Sequence, residues 1–174
     1  MPFFPSLPDH AGIGELWSLN PSLKKPMNDL AQAIMRAESP LSPAEREFIA
    51  AFVSAINKCD YCYSGHVRVA ANLGAARDEI DACATALDTV PVSEKWRAIL
   101  RFVKKLTLTP SAMANADAEA VLAEGWDERA LHDAILVCCR FNFMNRLSLG
   151  HGLDPEGVSP DVRAANMNYA QPKA

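Results

Sequence analysis

The sequence predicts an all-α fold, and three observations carry that expectation. Apolar residues recur at three- and four-residue spacing through most of the chain. Serine, aspartate and proline stand where those periodic segments begin, and glycine stands where they end. Strictly alternating runs of the kind that make half-buried strands are nearly missing. Apolar residues are 49% of the 174, enough to build the core of one domain, or of two small lobes that share it.

The elements follow in order. Residues 1–25 are rich in Pro, Ser, Asn and Leu and predict an extended arm with short turns. Pro26 to about Arg36 can form a first helix. Ser42-Pro43-Ala44-Glu45 combines a capping serine, a proline at the first helical position and a glutamate three residues after the cap. The helix it starts should reach about Ile56, with Phe48, Ile49, Phe52, Val53 and Ile56 as its apolar stripe. A further helix should begin near Cys59 and stop before Gly74. Asp78 to Leu87 predicts a short alanine-rich helix that Pro91 follows. Ser93 caps another, with Trp96, Ile99, Leu100, Val103 and Leu106 on one side and Pro110 at its end. Asp117 to Ala123 precedes Gly125, and Asp127 caps a long helix over about 128–149 that Gly150 should close. The plan is therefore an arm (1–25), a helical domain (26–155) and a polar tail (156–174) that wraps a neighbour or the surface.

A weak internal repeat appears at an offset of 51 residues: Ser42 falls on Ser93, Arg46 on Arg97, Gly74 on Gly125 and Ile80 on Leu131. Chance alignment of helical sequences is an equally good account of a match this sparse. If the repeat holds, Glu47, Cys59, Cys62 and His66 fall on Ala98, Pro110, Met113 and Asp117, so one half carries the chemistry and the other is scaffold.

Charge and hydropathy exclude several classes of function. Net charge is −4 and the sequence pI is about 5.5. The basic residues are scattered, which argues against a patch that tracks nucleic-acid phosphates. No apolar run approaches a membrane span. The start, Met1-Pro2-Phe3-Phe4-Pro5, lacks the basic and apolar regions of a signal peptide. These features predict a cytoplasmic protein without nucleic-acid or membrane partners. Five cysteines, with no framework spacing, do not look like a secreted disulfide scaffold.

Candidate chemistry concentrates in Cys59-Asp60-Tyr61-Cys62-Tyr63-Ser64-Gly65-His66. On a helix, Cys59, Cys62 and His66 form one stripe. Cysteines three apart have Cα atoms roughly 5–6 Å apart, within disulfide range, and His66 can reach the Cys62 sulfur directly or through one water. Cys59, at the presumed helix start, gains thiolate character from the positive end of the dipole. Three readings compete at this stage. One is redox chemistry. Another is a zinc site with two thiolates and an imidazole, for which His151 or Cys83 would have to supply a fourth ligand. The last is two buried cysteines beside a surface histidine. Glu47, twelve residues before Cys59, lies at the edge of its helix's apolar stripe, and periodicity alone favours a solvated surface position. Cys138 and Cys139 diverge by about 100° on an apolar helix and predict core packing, as does Cys83. Tyr61 and Tyr63 flank the second thiol and either wall a pocket or pack. His10, His132 and His151 show no partner in the sequence.

Glu47, the dithiol and His66, placed on helices, resemble the alkylhydroperoxidase AhpD-like branch of the carboxymuconolactone decarboxylase superfamily. Phe141-Asn142-Phe143-Met144-Asn145-Arg146 is similar to the peroxidase-related subgroup of that branch. The resemblance spans about residues 20–155. It implies an AhpD-like helical bundle, assembled as a homo-oligomer (dimer, trimer or hexamer). It also implies thiol peroxidase or disulfide reductase activity without metal or haem cofactor. By position, Cys62 matches the peroxide-reactive cysteine, Cys59 the resolving one, His66 the base, and Glu47 the carboxylate that orients it. The partners so implied are a peroxide substrate and an external dithiol such as dihydrolipoamide. Rival functions from the same residues are a redox adapter that reduces another peroxidase and a non-catalytic redox-sensing oligomer. One position departs from the pattern. Members carry a second histidine directly before the second cysteine, where this chain has Tyr61, and a phenol does not act as a base near pH 7.

Overall fold

A computed structural model describes residues 1–166. Among these residues there are helices and turns and no strand, as the sequence predicts. In chain order the helices are α1 (Ile13–Leu16), α2 (Lys24–Arg36), α3 (Pro43–Ile56), α4 (Asp60–Asn72), α5 (Arg77–Ala86), α6 (Glu94–Leu108), α7 (Asn115–Ala123), α8 (Glu128–His151) and α9 (Pro160–Asn166). Single 3₁₀ turns at Pro21–Leu23 and Pro110–Ala112 precede α2 and α7.

α3 is the axis of the molecule. Its start is the capping box read from the sequence: Glu45 N–H donates to Ser42 Oγ (3.2 Å), and Ser42 N–H donates to the Glu45 carboxylate (2.7 Å). From Arg46 to Ser54 every residue is buried, because α2, α4, α5, α6 and α8 all pack around it. A helix enclosed on all sides has no solvent face. Phe52, Ile49 and Val53 are completely buried, and each contributes roughly 1.5–3 kcal/mol by leaving water. Glu47 is enclosed with them, at 0% exposure. The surface position that periodicity favours for it is therefore wrong: the stripe rule assumes one wet face, and α3 has none.

The α3–α4 junction sets the position of the dithiol. Lys58 has a left-handed backbone (φ 53°). Lys58 N–H donates to Ala55 O (3.0 Å) and Cys59 N–H to Ser54 O (2.9 Å), the paired bonds of a Schellman stop. Cys59 is thus both the residue that seals α3 and the N-cap of α4. α4 then turns back along α3, which places His66 opposite Glu47.

The two halves share local construction. Ser42 and Ser93 both cap their helices through the side chain. Arg46 donates to Ile34 O (3.1 Å) and Ala37 O (2.9 Å). Its counterpart Arg97 donates to the carbonyls of Leu87, Val90 and Val92. Both buried arginines fasten the preceding loop to their helix. Gly74 (φ 97°) and Gly125 (φ 83°) are both left-handed stops.

Several expectations are revised. α2 begins at Lys24 and carries Pro26 in its first turn, where a missing N–H is harmless. α8 runs through Gly150 and closes at Gly152 (φ 66°), with Leu153 N–H donating to Ser148 O (3.1 Å). A Cβ at 152 would also lie 2.6 Å from the exposed Phe3 ring, which would have to shift. Cys139 is exposed, whereas Cys138 and Cys83 are buried as expected. The N-terminal 25 residues are more than an extended arm. They include α1 and a 3₁₀ turn, and Leu7, Ala11 and Leu16 form a second apolar cluster with Cys59, Tyr61, Cys62 and Leu153. At the other end α9 packs on α4. The remainder of the expected tail, 167–174, lies outside the described residues. No helix among the described residues is long and apolar enough to cross a membrane.

A lysine held in the left-handed region carries a steric penalty that glycine does not. Lys58→Gly is expected to raise the unfolding free energy by about 0.5–1 kcal/mol in urea denaturation. A loss of stability would contradict the strain argument.

Candidate active site

Two helices bring Glu47, His66 and Cys62 together. α3 supplies Glu47, α4 supplies Cys62 and His66, and Cys59 stands at the α3–α4 junction. Each Glu47 oxygen has a partner: Arg36 Nη2 donates to Oε1 (2.7 Å) and His66 Nδ1 lies 2.7 Å from Oε2. Burial alone would push the Glu47 carboxyl up. The charge and hydrogen bond of His66, and then those of Arg36, outweigh it and hold the group below the usual carboxylate range. An ionised carboxylate only accepts, so His66 Nδ1 carries a proton and donates to Glu47, which leaves Nε2 as the nitrogen able to exchange one. The imidazole is buried and packs edge-on against Phe141 (centroids 4.3 Å).

The two thiols differ sharply. Cys62 Sγ lies 3.3 Å from Ser148 Oγ on α8. Its pKa is lowered to about 6, chiefly because the Cys59 thiol donates to it. Desolvation opposes this, while the Ser148 hydroxyl, the charge of His66 and the Asn145 amide reinforce it. Cys59 shifts the other way: donating to Cys62, burial and the charge of Cys62 all favour its protonated form. The dipole argument that assigned thiolate character to Cys59 is therefore overridden. Cys62 lies within the first turn of the same helix, so the dipole favours it as well.

Access differs in the same sense. A cavity of about 850 Å³ reaches Cys62 and His66 but not Cys59. Tyr61 forms part of its wall and accepts a hydrogen bond from Ile13 N–H (3.1 Å). Burial raises its phenol pKa, so Tyr61 anchors the N-terminal segment over the site and does not titrate near neutrality. Tyr63 points elsewhere and donates to Asp81. The ligands a zinc site would need are dispersed. His151 is bonded to Leu147 O (2.8 Å) and stacked on Phe4, and Cys83 sits in the main core. Among the described residues no group of three or more His, Cys, Asp or Glu side chains is placed to hold a metal ion.

Sequence reasoning missed Arg36, Ser148 and the role of Asn145. Asn145 is completely buried, donates to Ser54 Oγ (3.0 Å) and accepts from Asn57 Nδ2 (2.9 Å). It lies in the Phe141–Arg146 segment already singled out, and Ser148 is one turn further along the same face. Arg36 has only an indirect signal: a carboxylate on an enclosed helix requires a cation from a neighbouring element.

Two outcomes follow. Alkylation of reduced Cys62 by iodoacetamide, located by mass spectrometry, should rise through pH about 6 rather than the ordinary thiol range near 8.5. The sign is set by the lowered pKa: thiolate persists down to that pH and is lost below it. Ser148→Ala and Cys59→Ala should each move the midpoint upward, Cys59→Ala further. In addition, Glu47→Gln should destabilise the protein by about 3–5 kcal/mol in urea, because Arg36 loses its buried counter-charge. Adding Arg36→Met should recover most of that loss.

The chain has relatives. The carboxymuconolactone decarboxylase family model matches residues 21–105, which span α2, the dithiol, His66 and most of α6. The chain is 26% identical over 115 residues to the uncharacterized protein YdfG of Bacillus subtilis (strain 168), covering 66% of this chain and 78% of that one. An uncharacterized peroxidase-related protein from Silicibacter sp. TM1040 superposes with a TM-score of 0.75 at 26% identity, covering 90% of this chain and 78% of that one. An alkylhydroperoxidase AhpD core protein, also peroxidase-related, from Ralstonia eutropha JMP134 gives 0.76 at 23% identity, covering 86% and 77%. The helical architecture, the family match over residues 21–105 and these neighbours agree on the AhpD-like helical fold of the carboxymuconolactone decarboxylase superfamily.

Proposed function

We propose that this protein is a thiol-dependent peroxidase that reduces organic hydroperoxides through Cys62 and Cys59. The observation that carries this reading is the asymmetry of the thiol pair. Cys62 borders the cavity with a lowered pKa, while Cys59 stays protonated behind it as the hydrogen-bond donor. A peroxidase needs that division between an attacking thiolate and a resolving thiol.

The cycle balances without a further oxidant. The Cys62 thiolate attacks the outer peroxide oxygen, the O–O bond breaks, and the alkoxide leaves as alcohol with a proton from the imidazolium of His66. Cys62 is now a sulfenic acid. Cys59 gives up its proton and attacks the Cys62 sulfur; hydroxide leaves and is protonated to water, and the disulfide forms. The net change is dithiol plus hydroperoxide to disulfide, alcohol and water. An external dithiol of the dihydrolipoamide class then exchanges with the disulfide and restores both thiols. Glu47 holds His66 in the tautomer that leaves Nε2 free to take the Cys62 proton and return it. With tyrosine at position 61, His66 is the one imidazole in this relay. Repeated reduction of a dithiol suits a reducing compartment, the basis for proposing a cytoplasmic location. Assembly into a homo-oligomer is proposed from the family alone.

The test is steady-state reduction of cumene hydroperoxide with lipoamide, thioredoxin and glutathione systems supplied in parallel. Turnover should require one dithiol system. Cys62→Ser should lose at least 10³-fold, and Cys59→Ser should reach a sulfenic acid and stall. Wild-type turnover in Cys62→Ser would sink the reading.

A further inference from the structure

The cavity is far larger than hydrogen peroxide requires. A molecule barely bigger than water takes up about 30 Å³, against about 850 Å³ here. Much of the wall is apolar or aromatic: Ile13, Trp17, Phe141, Met144 and Val162. Such a space suits a sizeable organic group.

Two guanidinium groups border the same space. Arg140, on α8, has Nε and Nη1 buried and without a hydrogen-bond partner. Its nearest aromatic neighbour is Phe141, with the guanidinium carbon 6.0 Å from the ring centroid. Phe141 in turn packs on His66, so Arg140 is one ring removed from the reacting base. Arg163, from α9, is 4% exposed. It donates to Pro155 O (2.7 Å) and Ser64 Oγ (2.5 Å), lies 4.9 Å over the Tyr61 ring, and leaves a buried Nε without a partner. The acidic groups on the wall are engaged elsewhere. Glu15 accepts from Gly12 N–H (2.8 Å) and Asp29 pairs with Lys25 (2.5 Å). Lys24, His10 and His66 complete the titratable lining.

A buried guanidinium nitrogen without an acceptor is destabilising unless a ligand supplies one. Arginine's planar fork matches a carboxylate. Building on the reading of Cys62 as the peroxide-reactive thiol, we propose that the cavity takes hydroperoxides bearing a carboxylate. Arg140, assisted by Arg163, binds the carboxylate, and the apolar wall holds the hydrocarbon between it and the –OOH at Cys62. Arg140 is the specificity-determining residue, because its buried Nε and Nη1 make no hydrogen bond in the ligand-free protein. Arg163 also fastens α9 to α4.

The experiment has a binding arm and a kinetic arm. Reduced wild-type protein is titrated with 4-isopropylbenzoate and with the neutral 4-isopropylbenzamide, followed by calorimetry. The acid should bind at least 10-fold more tightly, and Arg140→Gln should bring the two to within about twofold. In the kinetic arm, cumene hydroperoxide is compared with its para-carboxylate. The ratio of kcat/KM should favour the carboxylate at least 10-fold in the wild type, stay partly biased in Arg140→Lys and approach unity in Arg140→Gln. Arg140→Met should also melt higher than wild type without ligand, and 4-isopropylbenzoate should raise the melting temperature of the wild type alone. Equal binding of acid and amide, or a preference that survives Arg140→Gln, overturns the proposal. Arg140-dependent binding of the benzoate without turnover of either hydroperoxide upholds the carboxylate site and overturns the peroxidase reading.

Discussion

Glu47 is the constraint around which the rest is arranged. A carboxylate with no exposure, on a helix enclosed on every side, loses several kcal/mol of hydration. That loss is offset by two partners from two other helices, Arg36 of α2 and His66 of α4. The ionic contact therefore fixes three helices relative to one another. It also fixes the protonation pattern of the imidazole. Because Oε1 is taken by Arg36, Oε2 is left for Nδ1 of His66, and the ring presents its other nitrogen away from α3. Cys62 stands one turn before His66 on the same helix, so orienting the ring also sets the surroundings of the thiol.

The thiol pair depends on a second constraint, the left-handed turn at Lys58. That turn makes Cys59 the last link of α3's hydrogen-bonded stop and the first of α4. Cys59 is consequently held deep while Cys62 borders the cavity. The donation from Cys59 that lowers the Cys62 pKa also sets the two thiols beside each other.

Much of this was legible in the sequence, for identifiable reasons. Helix starts at Ser42, Ser93 and Asp127 were readable because capping is local chemistry written in two or three residues. The dithiol–histidine stripe was readable because helical spacing alone brings those side chains together. Glu47 resisted because its burial depends on five surrounding helices, which periodicity within one segment does not register. Only the family resemblance singled it out. Arg36 and Ser148 are long-range partners with no spacing signal toward the dithiol. Gly150, the first glycine reached, is the stop of α8 that the sequence predicts. The αL position, and the ring of Phe3 crowding it, belong to Gly152. The 1–25 segment looked like an arm because its apolar residues are too sparse to show a period. They find their partners around Cys59 and Cys62.

The second half of the chain shows why the chemistry is carried once. Ser93 and Arg97 repeat the cap and the buried loop-fastening arginine of Ser42 and Arg46, yet the position matching Glu47 is Ala98. Without a carboxylate at that position, α6 has no need there of a cation from the preceding helix or of an imidazole opposite. The residue matching His66 is Asp117, which pairs with Lys105 (2.7 Å) and caps α7 through Ala114 N–H (2.8 Å). Its role is met at the start of a helix, where an anion is favourable. The second half is thus built with the cap and the loop-fastening arginine but without the ionic centre. The desolvation penalty of Glu47 is confined to the half that holds His66 and Cys62. That restriction is the physical argument for treating Arg36, Glu47 and His66 as parts of a site rather than as ordinary struts of the bundle.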